Sequence, residues 1–243
     1  MDEKMLDDIL LARFIESFYG YGNYNSKFWF VGMEEGGGNS ESEIQKRLNV
    51  WKTRGYAELE DVKEYHLELG IDRFFNDKPV LEKTWDKIIL IILGIEGGSP
   101  SIENRKKYQK NVLGTKTGES CLIELLPLPS PGIGKWVYHS ISRLPYLENR
   151  ETYRDFVKKS RIQNIRRRIS EYTPRCVVFY GATYKLHWIT ITNGMTFHPH
   201  DMLDFEMAEN DDTLFLMIKH PVAAGVTNDY FYDIGRCIKE RIT

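Results

Sequence analysis

Four short apolar runs, each separated from the next by helical sequence, constrain the fold of this chain more than any other feature. They are Lys27-Phe-Trp-Phe-Val-Gly-Met33, Cys121-Leu-Ile-Glu-Leu-Leu126, Cys176-Val-Val-Phe-Tyr180 and Thr213-Leu-Phe-Leu-Met-Ile218. Strands that are apolar throughout are covered on both faces, and strands that alternate with helices build parallel sheets. The expectation is an α/β fold with three layers, α/β/α, and a central, mainly parallel four-stranded sheet with helical and hairpin insertions. The 243 residues suit a single domain over 1–243.

Apolar spacing predicts helices over residues 3–18, 57–69, 84–93, 151–172, 183–191 and 228–241. A further helix over 41–53 takes Ser40 as its cap and Glu43 as the capping-box partner. Another, through residue 110, takes Ser99 as its cap. Residues 194–209 read as an extended hairpin. Pro127, Pro129 and Pro131 are expected to stop the second strand, because proline lacks the ladder donor. Residues 34–40 read as a loop whose three glycines leave N–H groups free to face a ligand.

Bulk charge argues against a general nucleic-acid binder. Formal net charge is −2 and the pI is about 6.3, so any nucleic-acid site must be a local patch. The three cysteines form no CxxC pair, which argues against zinc or an iron–sulfur cluster and for a reducing compartment. His198 and His200 flank Pro199 with no further ligands nearby in sequence, so neither a metal nor a cofactor is expected. No apolar run approaches the ~20 residues of a membrane span. The acidic start does not resemble a signal peptide. The expected location is the cytoplasm, with no membrane partner.

Ligands of parallel sheets sit at the C-terminal ends of the strands. Glu34, Glu35, Gly36 and Gly37 follow the first run, Glu124 and Pro127 close the second, Gly181 closes the third and His220 closes the last. Three acids and one imidazole are thereby expected on one rim, and a carboxylate inside an apolar run needs a partner or a task.

In order along the chain, the motifs are Gly32-Met-Glu-Glu-Gly36, a strand ending at Glu124 before Pro127, Pro174-Arg-Cys-Val-Val-Phe-Tyr-Gly-Ala182, and His220-Pro-Val-Ala-Ala-Gly225 ahead of Asn228-Asp-Tyr-Phe231. This ordered set resembles the uracil-DNA glycosylase superfamily over nearly the whole chain. The family's first loop usually reads G-x-(Asp, Asn or Ala)-P-(Tyr or Gly), its second strand ends in the Asn that reads a flipped base, and its last motif is H-P-S-P-L-S. Here Glu34 takes the catalytic position, Glu35 replaces the proline, Glu124 replaces Asn and Val222 replaces Ser.

The resemblance implies a protein that acts on or binds a flipped base, cleaving its N-glycosidic bond if it is an enzyme. Glu34 would then stabilise the sugar cation or position water, and His220 would donate to the departing base. Glu35, Gly36, Gly37, Glu124, Pro127 and Gly181 would surround the base. An ionised Glu124 only accepts hydrogen bonds, so uracil is disfavoured and an edge with adjacent N–H groups is favoured. Lys135, Trp136 and Arg143, after the proline loop, and Asn228 would contact the nucleic acid. The charges at Lys158, Lys159, Arg161, Arg166, Arg167 and Arg168 read as a solvated helix face. Two alternatives stand beside this reading: a non-catalytic nucleic-acid or nucleotide-binding module of the same fold, and a Mg²⁺-dependent hydrolase using Glu34, Glu35 and Glu124.

Overall fold

A computed structural model of the chain describes residues 5–132 and 134–242. The first residues of the helix predicted over 3–18, and Ile133 in the proline-rich loop, lie outside the described residues.

The chain is α/β. Its strands are β1 (Gly20–Tyr21), β2 (Phe28–Gly36), β3 (Leu59–Glu60), β4 (Ser120–Ser130), β5 (Cys176–Tyr180), β6 (His198–Pro199), β7 (Glu206–Glu209) and β8 (Leu214–Ile218). They form one mixed sheet in the order β3-β1-β4-β2-β5-β8-β7-β6. Among the described residues the sheet has eight strands rather than the expected four. The four apolar runs are its centre, and β4, β2, β5 and β8 run parallel to their neighbours there. The added strands sit at the edges. β1 joins β4 antiparallel, and β7 joins β8 antiparallel with β6 beyond it. Three of these edges are two residues long, too short to carry a period of two.

The helices are α1 (Asp8–Ser17), α2 (Glu41–Thr53), α3 (Val62–Glu68), α4 (Lys83–Glu96), α5 (Ile102–Asn111), α6 (Arg150–Tyr172), α7 (Lys185–Ile191) and α8 (Asn228–Ile242). Helix α5 takes its cap from Ser101, not Ser99. Helix α3 is shorter than predicted because Asp61, which accepts from the Lys63 and Glu64 N–H groups, caps it after β3. Helices α4 and α8 cross at a pair of glycines. A Cβ on Gly94 would meet the Tyr232 carbonyl oxygen at 2.3 Å, and one on Gly235 the Ile91 carbonyl at 2.1 Å.

Two local expectations are corrected. Strand β2 continues through Glu34, Glu35 and Gly36, so these are strand residues and the loop starts at Gly37. Strand β4 continues through Pro127 and Pro129 to Ser130. Its partner β1 has ended at the level of Leu122 and Ile123, so on that side the prolines face no strand that needs their missing N–H. The Leu128 N–H between them donates to the Tyr153 hydroxyl at 3.1 Å.

Among the described residues, no helix is long and apolar enough to cross a membrane. All three cysteines are free thiols, with Cys121 and Cys176 buried.

Candidate functional site

The central strands occur in the chain as β2, β4, β5, β8 and in the sheet as β4-β2-β5-β8. The chain steps from β2 to one side, then returns to the other, so the order reverses between β2 and β5. In open α/β sheets a ligand crevice lies outside the strand ends at such a reversal. The residues at these ends form three connected groups.

The first group spans β4, β2 and β5. Gly32 pairs in register with Glu124, and Tyr180 lies one residue beyond the Val31–Phe179 pair. The Tyr180 hydroxyl donates to Glu124 Oε1 at 2.7 Å. A Cβ on Gly32 would stand 2.2 Å from that hydroxyl oxygen and 2.3 Å from Cζ. Glycine at 32 is therefore what lets the Tyr180 ring lie across β2 and reach the carboxyl on β4. Glu124 Oε2 is buried and has no hydrogen-bond partner. Burial pushes the Glu124 carboxyl up to about 8, with the nearby Glu35 and Glu82 charges acting in the same sense. Glu124 is thus largely protonated at neutral pH. Like an amide it has one donor and one acceptor: Oε1 accepts from Tyr180, and the O–H on Oε2 is the donor left without a partner. Only an ionised Glu124 would disfavour uracil, and the protonated carboxyl does not.

His220 joins this group from the end of β8. Its ring meets Tyr180 near-perpendicularly with centroids 5.7 Å apart. The Val222 N–H donates to His220 Nδ1 at 3.3 Å, so the neutral ring carries its proton on Nε2. Burial lowers its pKa further below the ordinary imidazole value. Gly181 sits between the two strands at φ +95°, where a Cβ would press on Tyr184 at 3.0 Å.

The second group surrounds Glu35. The Tyr21 hydroxyl donates to both carboxylate oxygens, at 3.1 and 3.0 Å. Arg47 of α2 donates to Oε2 at 2.9 Å, and His66 Nε2 lies 3.7 Å from Oε1. Burial opposes ionisation here, but Arg47, His66 and Tyr21 outweigh it and hold the carboxyl down at about 2. Glu35 is therefore an anion committed to a buried guanidinium. Glu82, the cap of α4, accepts from the Thr84 and Trp85 N–H groups, each at 2.8 Å.

The third group is Glu34 with Arg150 at the start of α6, an ion pair with both side chains largely buried. Arg150 also donates to Ser130 Oγ at 2.9 Å and to the Gly132 carbonyl at 3.0 Å. Glu34 Oε2 is buried without a partner. The three acids expected to share one rim are thus engaged with different elements: Glu34 with α6, Glu35 with α2, and Glu124 with Tyr180.

The glycine loop is less open to a ligand than expected. The Gly38 N–H donates to Glu43 Oε1 at 2.8 Å and the Asn39 N–H to Glu43 Oε2 at 3.0 Å. Ser40 Oγ accepts from the Glu43 N–H as predicted, but the Glu43 carboxylate reaches past Ser40 to these two residues. Around Gly36 there is open space, and Gly37 has φ +121°. Pro127 lies inside β4 and is buried.

The expected nucleic-acid contacts fall on different kinds of position. Lys135 and Arg143 are exposed. Trp136 is a packing residue: its indole N–H donates to the Leu147 carbonyl at 2.8 Å, and its ring meets Tyr138 and Tyr153 at 4.8 and 5.1 Å. Exposed Asn228 accepts from Lys87. On α6, Arg161 is 2% exposed. It donates to the carbonyls of Phe18, Glu124 and Leu125 at 2.7, 2.7 and 3.0 Å, and so is a clamp and not part of a solvated face. Arg168 is likewise buried, paired with Glu58, and Arg166 donates to the Ile191 carbonyl at 3.2 Å. Arg167 and Lys159 do face solvent.

Sequence reasoning missed Tyr180, Arg150, Arg47, Tyr21, His66 and Glu82. Tyr180 and Tyr21 look like ordinary core rings in apolar surroundings. The available signal was the acids themselves, since a carboxylate in a buried strand requires a donor.

Among the described residues, no group of three or more His, Cys, Asp or Glu side chains is placed to hold a metal ion. Surface concavities of about 760 and 410 Å³ run beside α2 and along α6, away from Glu124. No model of a known protein family matches this chain, and no curated protein matches it.

Proposed function

We propose that this chain binds a nucleobase-type ring at the C-terminal ends of β4, β2, β5 and β8, as a divergent relative of the uracil-DNA glycosylase superfamily. The observation that carries the reading is the protonated Glu124, held by Tyr180 across Gly32 at the reversal of strand order. With Oε1 accepting from Tyr180, the neutral carboxyl carries its proton on the unpartnered Oε2, and that O–H is the donor that recognises a carbonyl or ring-nitrogen acceptor on a base edge. The parallel centre of the sheet and the arrival of all four motif segments at the same strand ends support the family relationship.

Hydrolysis of the glycosidic bond at the same place is the second reading. The His220 ring favours it, since Nε2–H is the donor an anionic leaving base requires. The Arg150 guanidinium on Glu34 opposes it, because a paired carboxylate is a poor stabiliser of a sugar cation. The Mg²⁺ reading has the least support: Glu34 and Glu35 are each committed to an arginine and Glu124 is protonated.

The test is equilibrium binding of oligonucleotides carrying uracil, hypoxanthine, xanthine or an abasic site at one position. Wild type is expected to prefer one base over the abasic control. Glu124→Gln, which keeps a donor and an acceptor, retains the preference. Glu124→Leu lowers it by about tenfold or more. Equal affinity of wild type for all four contradicts the proposal. Base release that falls ~10²-fold in His220→Gln would establish the hydrolytic reading instead.

A further inference from the structure

We infer that Arg154, Lys158 and His187, continuing a line that Arg150 begins at the rim, form a subsite for the phosphates of a nucleic-acid strand. This deepens the base-binding reading and rests on it: the strand is the one whose base would reach Glu124 and Tyr180.

Two lines of residues leave the rim side by side. Arg150, Arg154 and Lys158 recur every four residues on α6, so they share one stripe of the helix. Successive members stand about 6 Å apart along the axis. The first is anchored at the strand ends through Glu34 and Ser130. The second line starts at Gly181, against which the Tyr184 ring packs. It continues through Tyr184 to His187 on α7, whose rings lie nearly parallel with centroids 6.4 Å apart.

The lines converge. Tyr184 and Arg154 both act electrostatically on Arg150. After burial, the Lys158 and Arg154 charges depress His187. A row of cations one helical turn apart, beside the stacked Tyr184 and His187 rings, matches an anionic backbone with bases to stack.

The charges are also uncommitted. Among the described residues, no ion pair or hydrogen bond engages the Arg154 side chain or the His187 ring. Lys158 has only the exposed Asp155, at 3.2 Å, a pair of the kind that contributes little. The other α6 arginines contrast with this: Arg161 and Arg168 are buried and saturated by the protein.

The experiment is fluorescence anisotropy with a labelled single-stranded oligonucleotide carrying the preferred base, between about 50 and 200 mM salt. The doubly reversed Arg154→Glu, Lys158→Glu chain is expected to bind at least tenfold more weakly. Its plot of log affinity against log salt should be shallower by about 1.4, the loss of two single-strand phosphate contacts. If the reversed chain does not fold, Arg154→Gln with Lys158→Gln replaces it, with about fivefold weakening expected. Glu124→Leu is the control for the rim. Loss of base preference there with salt-dependent strand binding intact separates the two sites and supports the subsite. Unchanged affinity and salt slope in the α6 variants overturn the subsite and leave the base site standing. Failure of wild type to bind the strand overturns the subsite outright.

Discussion

The Tyr180 hydroxyl meets Glu124 Oε1 at 2.7 Å by passing over Gly32, the residue on the strand between them. Three strands thus cooperate to hold one neutral carboxyl, and the absence of a side chain at the middle position is part of the device.

Gly32→Ala is expected to destabilise the protein by about 1–3 kcal/mol, since the new methyl overlaps the Tyr180 ring and forces it off its position. In a double-mutant cycle with Tyr180→Ala the penalty largely disappears, because the overlapping ring is gone. Chemical denaturation of the four proteins measures this. Additive effects would show that Tyr180 does not lie over Gly32.

The Glu124 carboxyl is raised to about 8 from its ordinary 4.5. A raised carboxyl contributes stability that is fully present below the unfolded value and lost as pH rises through the folded one. The stability difference between wild type and Glu124→Gln should therefore fall between pH 4.5 and about 8. The slope should be up to about 1.4 kcal/mol per pH unit. Denaturant midpoints across that range give the result, and a flat difference would mean that Glu124 is ionised throughout.

Glu35 behaves in the opposite sense. Its carboxyl is held at about 2 against an ordinary 4.5, so its contribution is present above 4.5 and lost as pH falls through about 2. Glu35→Gln removes this acid-side loss. It also leaves Arg47 buried without its counter-charge, at a cost of about 3 kcal/mol at neutral pH. Thermal unfolding at neutral and acid pH separates the two effects.

The centre of the sheet was legible because buried strands are apolar throughout, and all four such runs became neighbours. The edges were not. Gly20–Tyr21 and Leu59–Glu60 become strands only because β4 and then β1 offer them a hydrogen-bonding edge. The passage of β4 through Pro127 and Pro129 likewise depends on which neighbour has already ended. The site was legible as acids at strand ends, but not as what those acids do. Tyr180 lies 56 residues from Glu124 and Arg150 lies 116 from Glu34. No local pattern distinguishes a carboxyl neutralised by burial from one neutralised by arginine.

Helices α4 and α8 cross where Gly94 and Gly235 let their backbones touch. Gly235→Val is expected to cost about 3 kcal/mol, because the new Cβ would stand 2.1 Å from a carbonyl oxygen. Gly36→Val, facing open space, should cost far less. Paired denaturation curves provide the comparison.

The most direct probe of base binding at the strand ends is the magnetic resonance of two rings. Tyr180 and His220 ring protons should shift together when an oligonucleotide with an unpaired preferred base is added. The shifts should be absent with the abasic strand and absent in Glu124→Leu. Strand binding that leaves both rings unmoved would contradict the account.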